Sequence, residues 1–365
     1  MEEKFENCLL LHALGDTLGF KNGDWEFNYR LLSQASFLPA FSAEHLYEFL
    51  ELGGIQGINL KGWRVSDDTV LHLATAAALL QTYKNIPALL ELLKKEYLAS
   101  LMDMEERYPG NTTLRSLAYL KKNPKSLAVS YDFKKGGSGA SMRTLCIGLA
   151  YAGKKQRGQL IAIALEASRL THNSATGYLG GITAALFTAF ALEGKPPESW
   201  PFRLVSLLEE GIIEKYLGET RELEEYNRDK YAFIDKWKLY IGERFSKDKK
   251  FSFNKAMRDP VFRTEYYHET YSDKRFSYFP GSAGDDSVII AYDSLMDSQG
   301  HWEKLVVYSM LHAGDSDTTG CIAGGWYGIV YGLKDVPSKN LEHLEYKDRL
   351  KETARKLYSK FSKGT

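Results

Sequence analysis

The segment Leu160–Leu192 reads LIAIALEASRLTHNSATGYLGGITAALFTAFAL and determines the class of fold. In its first half, apolar residues recur at the spacing of one helix face, at Leu160, Ile163, Ala164, Ala167 and Leu170. Its second half, Gly177–Leu192, carries no charged residue. This run is shorter than the ~20 residues that a membrane-spanning helix needs, and it contains glycine and threonine. We therefore predict a helix that is buried in the protein core.

The same helical spacing recurs along the rest of the chain, whereas the alternating pattern of a β-strand is scarce. It includes Leu341–Phe361, which predicts an amphipathic surface helix. No linker rich in proline, serine or glycine divides the sequence, and no internal repeat is visible. We therefore predict an all-α fold in which residues 1–365 form a single large domain of many helices with long functional loops.

The composition excludes several classes of protein. The 365 residues include 47 Lys+Arg and 47 Asp+Glu, so the formal net charge is zero and lacks the basic excess typical of nucleic-acid binding. With 13% aromatic and 44% hydrophobic residues, the chain is too apolar to be disordered. The cysteines Cys8, Cys146 and Cys321 are far apart, and the N-terminus has no signal-peptide pattern. We expect a cytoplasmic protein that binds neither nucleic acid nor membranes.

Two acidic clusters each precede a strongly apolar segment. Residues 63–70 (WRVSDDTV) predict a loop, an N-cap serine and a helix with Asp67 and Asp68 in its first turn. Residues 312–320 (HAGDSDTTG) place Asp315 and Asp317 on either side of a hydroxyl. Each cluster taken alone is also explained by helix capping, because carboxylates are favourable near a helix N-terminus.

The two clusters together predict a metal site. Both apolar segments must be buried, so the starts of their helices can converge inside one core. Four aspartates that meet there repel each other unless cations neutralise them, and their charge matches that of two divalent ions. Carboxylate and hydroxyl oxygens are ligands that Mg²⁺ prefers. The sequence thus leads to the hypothesis of a two-metal site.

A competing interpretation is the DxDxT motif of aspartate-nucleophile phosphatases, which residues 315–319 match, with Leu305–Val307 as the preceding strand. That fold builds most of its α/β sheet downstream of the motif. Only 46 residues follow Thr319, and their pattern is that of an amphipathic helix. We therefore disfavour this interpretation.

Five segments resemble the ADP-ribosylglycohydrolase family, in family order and across nearly the whole chain. They are Leu14–Gly19 (LGDTLG), Trp63–Ala76 (WRVSDDTVLHLATA), Gly136–Arg143 (GGSGASMR), Thr171–Gly180 (THNSATGYLG) and Gly314–Thr318 (GDSDT). The sequence is most similar to the ADP-ribosylarginine hydrolase branch. That likeness is carried by Gly23–Phe27 (GDWEF), Trp63–Val65 (WRV) and Leu344–Tyr358 (LEYKDRLKETARKLY).

The resemblance implies an all-α fold around a binuclear site for two Mg²⁺ ions. It implies hydrolysis of the N-glycosidic bond between ADP-ribose and arginine side chains, which reverses mono-ADP-ribosylation. The partners would be ADP-ribosylated proteins, ADP-ribose would be the product, and we expect a monomer. The matched metal ligands are Ser66, Asp67, Asp68, Asp315, Asp317 and Thr318. Asp67 and Asp68 are also expected to position or activate water, and Glu26 to reach toward the metals from a loop.

The glycine-rich loop, Gly136–Gly139, precedes a helix that we predict to begin at Ala140. Backbone N–H groups at such a junction can hold a diphosphate, although tight turns also need glycine. The candidates for the ADP-ribose site are Gly136, Gly137, Ser138, Gly139, His172, Gly177, Tyr178, Leu179, Phe279, Pro280, Gly281, Asp285 and Asp286. Weaker candidates are Thr113, Leu114 and Arg115. Asp285 stands where the family pattern often has histidine. We expect His72 to be a hydrogen-bonded core residue and His312 to support the second acidic loop.

Two alternatives remain open. The first is an O-glycosidic hydrolase that removes ADP-ribose from serine or from polymers with the same metal site. The second is a non-catalytic ADP-ribose-binding or structural member of the family. The Trp-Glu-Phe and Trp-Arg-Val segments favour the arginine branch, and the intact acidic clusters argue against a loss of catalysis.

Overall fold

The structure is a computed structural model that describes residues 1–26, 38–272 and 279–362. These residues form eighteen α-helices joined by loops and 3₁₀ turns, and no β-strand occurs among them. The helices are α1 (Glu2–Phe20), α2 (Leu38–Glu51), α3 (Gly54–Gly57), α4 (Asp67–Leu80), α5 (Ile86–Ser100), α6 (Asn111–Lys122), α7 (Leu145–Ala150), α8 (Arg157–Arg169), α9 (Ala175–Leu192), α10 (Trp200–Glu209), α11 (Ile212–Glu219), α12 (Leu223–Arg244), α13 (Pro260–Thr270), α14 (Asp286–Ser298), α15 (Trp302–Met310), α16 (Ser316–Tyr331), α17 (Ser338–Glu342) and α18 (Lys347–Phe361). The prediction of an all-α fold is confirmed.

Helix α9 is the buried core helix that its uncharged sequence predicts. By length and composition it could cross a membrane, with a mean hydropathy of 1.4, yet all of its 18 residues are buried inside the fold. Phe187 lies in the middle of an aromatic cluster. Its ring is 5.3 to 5.5 Å from those of Trp200, Trp237, Tyr292 and Trp326. Large apolar surfaces on all sides therefore hold α9 in the core.

Helices α1 and α16 lie in direct backbone contact. Glycines recur every fourth residue on α16, and a Cβ at Gly324 would lie only 2.2 Å from the carbonyl oxygen of Leu11. At the end of the contact nearer the acidic loop, a Cβ on Gly15 would lie 2.1 Å from the carbonyl oxygen of Gly320. Only glycine permits so close an approach. The contact brings the C-terminal end of α1 to the N-terminal end of α16.

The start of α4 is fixed against α1 by a fully buried carboxylate. Asp16 accepts hydrogen bonds from the backbone N–H groups of Ser66 and Thr69, each at 3.0 Å, and from the Thr69 hydroxyl. A carboxylate at a helix N-terminus is favoured by the helix dipole. Helix α1 therefore contacts the starts of both α4 and α16, which are the helices that follow the two acidic clusters.

Two local predictions need correction, and the disfavoured phosphatase interpretation is contradicted. Leu305–Val307, the strand that the phosphatase interpretation requires, lies within helix α15. The predicted helix Leu341–Phe361 is divided into α17 and α18, because Tyr346 adopts a left-handed backbone with φ of 60°. Ala140 begins no α-helix and lies in a 3₁₀ turn that spans Ser138–Arg143. There the side chains of Ser141 and Arg143 bind the carbonyl oxygens of residues 138 and 139, which an α-helix would use itself.

Candidate active site

A cavity of about 430 Å³ opens where the starts of α4, α6 and α16 meet the glycine-rich loop. It is lined by Glu26, Asp67, Asp68, Tyr108, Gly110, Asn111, Thr112, Thr113, Lys134, Gly137, Ser138, Gly139, Met142, His172, Phe279, Ser282, Asp315 and Thr318. Both acidic clusters thus reach one cavity, although about 250 residues separate them in the sequence.

Five carboxyl groups lie together at the base of this cavity, four of them in its lining and Asp317 next to them. Oxygens of Glu26, Asp315 and Asp317 all lie within 4.8 Å of one another. Asp68 is joined to the second cluster by the hydroxyl of Thr318, which donates a hydrogen bond of 2.8 Å to Asp68 Oδ2. None of the five side chains is more than 6% exposed. The five residues are Glu26, Asp67, Asp68, Asp315 and Asp317.

Burial and mutual repulsion disfavour the charged forms of these groups. Burial raises the pKa of Asp67 and of Asp315 to about 7. Burial, together with repulsion by neighbouring carboxylates, raises the pKa of Glu26, Asp68 and Asp317 well above their usual range. The donor set consists of carboxylate and hydroxyl oxygens, which fits a hard divalent cation, and such a cation supplies the opposing charge. The residues present therefore fit a divalent cation.

Local hydrogen bonds shape the two acidic loops. The Ser66 hydroxyl caps α4 by accepting a bond of 3.1 Å from the backbone N–H of Asp68. His312 stands behind the second loop, where its Nδ1 accepts from the backbone N–H of Gly314 at 3.2 Å and its Nε2 pairs with the Thr319 hydroxyl at 2.7 Å. The supporting role predicted for His312 is confirmed. His72 accepts a bond of 3.0 Å from a backbone N–H at residue 146, as expected of a core histidine.

The glycine-rich loop is attached directly to the second acidic cluster. The Ser138 hydroxyl donates a bond of 2.7 Å to Asp315 Oδ2, and its backbone N–H donates to the carbonyl oxygen of Ser282 at 3.0 Å. A Cβ at Gly139 would lie 2.5 Å from the ring of His172, so the loop lies flat on this histidine. Burial lowers the pKa of His172 to about 3, which leaves the ring neutral. The loop therefore offers backbone groups to the cavity and no positive charge.

A family model for ADP-ribosylglycohydrolases matches residues 1–365. The chain belongs to the ADP-ribosylglycohydrolase family. Members act on ADP-ribosylated substrates and release ADP-ribose, and they depend on metal ions.

Several relatives and one solved structure are similar to this family member. An ADP-ribosyl glycohydrolase homologue of Acanthamoeba polyphaga mimivirus is 40% identical over 356 residues, covering 94% of this chain and 67% of that protein. ADP-ribosylhydrolase ARH1 of Dictyostelium discoideum is 36% identical over 379 residues, covering 98% and 94%. ADP-ribosylhydrolase ARH3 of Bos taurus is 26% identical over 237 residues, covering 61% of this chain and 58% of that protein. An ADP-ribosylglycohydrolase-related protein complex shares the fold, with a TM-score of 0.58, 18% identity and 98% coverage of both chains.

The other residues that the sequence predicted for the site of this ADP-ribosylglycohydrolase do not line the cavity. A Cβ at Gly177 would lie 2.6 Å from the carbonyl oxygen of residue 135, and Tyr178 and Leu179 are fully buried beyond it. Asp285 pairs with Lys236 at 2.7 Å and contributes nothing to the lining. The candidates that do not line the cavity are Ser66, Asp317, Gly136, Gly177, Tyr178, Leu179, Pro280, Gly281, Asp285, Asp286, Leu114 and Arg115.

Several of these nevertheless support the lining residues. The carbonyl oxygen of Pro280 accepts a bond of 2.9 Å from the backbone N–H of Asp315. A carboxylate oxygen of Asp286 accepts a bond of 2.9 Å from the backbone N–H of Ala283, next to Ser282 of the lining. Leu114 and Arg115 have a different place, since both are exposed on the outer face of α6.

The motif analysis missed some residues that the fold brings to the site. Asp16 lies within the LGDTLG segment, but its spacing gives no sign that it holds the start of α4. Tyr108 is half exposed in the lining, and no local pattern marks it. Lys134 is the cation among the described residues that line the cavity, since His172 is neutral. Its position just before the glycine-rich loop is the one feature of the sequence that could have indicated this role.

Proposed function

We propose that this protein hydrolyses the N-glycosidic bond between ADP-ribose and arginine side chains, with Mg²⁺ as cofactor and two ions in the site. The observation that carries the proposal is a group of five buried carboxyl groups, four of which line one cavity together with the glycine-rich loop. The choice of arginine is supported by the Trp-Glu-Phe and Trp-Arg-Val segments. The relatives agree with it, because similarity to ARH1 extends over 98% of this chain and similarity to ARH3 over 61%.

The oxygen donors that would hold the cations are Ser66, Asp67, Asp68, Asp315, Asp317 and Thr318. When bound, divalent cations neutralise the carboxylates, bind the hydroxyls of the distal ribose and polarise water. The side chains prepare the site through their own contacts. The hydroxyl of Thr318 binds one oxygen of Asp68, and the hydroxyl of Ser138 binds one oxygen of Asp315. The second oxygen of each carboxylate is left for a cation.

The substrate has one electrostatically favourable orientation in this cavity. Its diphosphate carries negative charge, so it is attracted to Lys134 and to the N–H groups of Gly137 and Gly139. The distal ribose then lies over the carboxylates. Departure of the guanidine leaves an oxocarbenium-like centre at C1″, whose positive charge the neighbouring carboxylates stabilise. In this proposal Asp67 and Asp68 position or activate the attacking water.

Glu26 would contribute from a separate segment. Its carboxyl group lies among those of Asp315 and Asp317 although it follows α1 in the sequence. The motif that contains it ends at Phe27, which lies outside the described residues. We propose that Glu26 helps to orient the reacting end of the substrate above the two aspartates.

The test is the release of free ADP-ribose, measured by chromatography, from arginine-linked and serine-linked ADP-ribosyl peptides of the same sequence in saturating Mg²⁺. Release from the arginine-linked peptide alone is the expected result, and Asp68→Asn is the matched variant that should lose it. Release from the serine-linked peptide alone would place the protein in the O-glycosidic class. Binding of ADP-ribose without release from either peptide would make it a non-catalytic binder.

A further inference from the structure

The segment from Asn111 to Lys135 is strongly basic and contributes one wall of the cavity. It contains six basic residues and a single acidic residue, Asp132. The basic residues are Arg115, Lys121, Lys122, Lys125, Lys134 and Lys135. In a chain whose positive and negative charges are equal in number, this is a marked local excess of positive charge, and the proposed reaction uses at most Lys134.

Five of these six cations, all except Lys135, are exposed and form no ion pair with a described acidic residue. They differ in this from exposed cations that an acid neutralises, such as Lys238, which lies 2.8 Å from Glu209, and Lys356, which lies 2.7 Å from Glu352. The basic segment therefore keeps its positive charge available for an external anion.

Helix α6 leads this charge away from the cavity mouth. Its first residues, Asn111–Thr113, line the cavity. One face is buried through Thr113, Ser116, Leu117 and Leu120, so the opposite face, with Arg115, Lys121 and Lys122, points outward. Twelve residues at a rise of about 1.5 Å extend roughly 18 Å from the mouth. A chain of five or six extended residues spans the same distance.

Apolar side chains are exposed between the cations. Leu114 is 37% exposed, Tyr119 is 46% exposed and Phe133 is 46% exposed. The Lys134 ammonium lies 5.9 Å from the Phe133 ring. Exposed apolar side chains, aromatic ones above all, are enriched on surfaces that bind a polypeptide.

We propose that this surface, consisting of the outward face of α6 with Lys125, Phe133 and Lys134 and here called the α6 surface, binds the polypeptide that carries the ADP-ribosyl group and selects acidic segments beside the modified residue. The inference rests on the proposed function, because a modified side chain can enter the cavity only if its own main chain lies across the mouth. The positive charge of the α6 surface attracts an acidic segment and steers the substrate toward the mouth.

The test compares kcat/KM for three arginine-linked substrates: a peptide with Asp and Glu next to the modified arginine, a neutral peptide of the same length, and free ADP-ribosylarginine. The test variant is Lys121→Gln/Lys122→Gln. The matched control is Lys154→Gln/Lys155→Gln, which removes the same charge beside Leu192, at the far end of α9 about 27 Å from its start.

The expected result has three parts. The wild type prefers the acidic peptide, and the test variant loses about fivefold in kcat/KM for it at low ionic strength, which corresponds to about 1 kcal/mol. The loss disappears near 1 M salt, where the Debye length is about 3 Å. Hydrolysis of free ADP-ribosylarginine is unchanged in the test variant, and the control variant behaves as the wild type with all three substrates.

Other results would overturn the inference. Equal kcat/KM for the acidic and neutral peptides in an active wild type would refute the α6 surface alone, whereas no release from any arginine-linked substrate would refute the proposed function. An equal loss on free ADP-ribosylarginine would show that the substitutions disturb the cavity and would refute docking. Tighter binding of a single-stranded RNA oligonucleotide than of the acidic peptide, measured by fluorescence anisotropy, would assign the surface to nucleic acid.

Discussion

The backbone contact between α1 and α16 makes a sharp prediction for Gly324→Ala. The added Cβ would lie 2.2 Å from the carbonyl oxygen of Leu11, whereas real Cβ contacts are almost never closer than 3.0 Å. The two helices must therefore separate by about 1 Å, and overpacking of this kind costs about 1–3 kcal/mol of unfolding free energy. Because α16 carries Thr318, its 2.8 Å hydrogen bond to Asp68 is strained by the same shift.

Gly324→Ala should reduce the catalytic rate more strongly than the stability. A displacement of about 1 Å in a catalytic group can reduce turnover about 100-fold. We expect a loss of that size in kcat for ADP-ribose release, with an unfolding free energy in urea that falls by only about 1–3 kcal/mol. The matched control is Gly242→Ala on α12, where an added Cβ meets nothing within 4 Å. It should raise the unfolding free energy by about 0.4–1 kcal/mol and leave kcat unchanged. Wild-type turnover and stability in Gly324→Ala would refute the reasoning.

Three further predictions concern single side chains. Asp16→Asn replaces the acceptor that fixes the start of α4, so Mn²⁺ affinity measured by calorimetry should fall about 10–100-fold, and an unchanged affinity would contradict its positioning role. Burial lowers the pKa of His12 to about 4, below its unfolded value near 6.5, so its contribution to stability is complete above pH 6.5 and is lost as the pH falls toward 4. Between pH 6.5 and pH 4 the free energy of unfolding in urea should therefore fall by about 3 kcal/mol less in His12→Gln than in the wild type. Identical pH profiles of the two proteins would contradict the lowered pKa of His12. Glu26→Gln should lower kcat at least tenfold without lowering the melting temperature, because the amide keeps a hydrogen-bonding group and removes a carboxyl group that its neighbours repel; equal activity would exclude its catalytic role.

The elements that surround the site could be predicted because their signals are local. The capping serine and the aspartates of α4 lie in one short segment, and the uncharged run of α9 marks its own burial. The glycine repeat on α16 is visible in the sequence. The helix that packs against it, α1, lies about 300 residues away, and no local pattern indicates this pairing. For that reason the approach of the two helices could be found only in the structure.

The lining of the cavity was harder to predict than its acidic base. Asn111, Thr112, Thr113 and Lys134 enter it through tertiary packing, and of these only Thr113 was a candidate from the sequence. Asp285 and Asp286 were expected to close the ADP-ribose site, but burial and hydrogen bonding place them behind it. The cytoplasmic location and the monomeric state stay predictions.

The most direct test of the account is the rate of ADP-ribose release from an arginine-linked peptide as Mg²⁺ is added back to protein treated with EDTA. We predict no release without the cation, saturable recovery in the wild type, and a half-saturating Mg²⁺ concentration at least about tenfold higher in Asp317→Asn. A wild-type rate that is full in EDTA and independent of Mg²⁺ would contradict the central claim, which is that the converging carboxylates serve to bind the cations that hydrolysis requires.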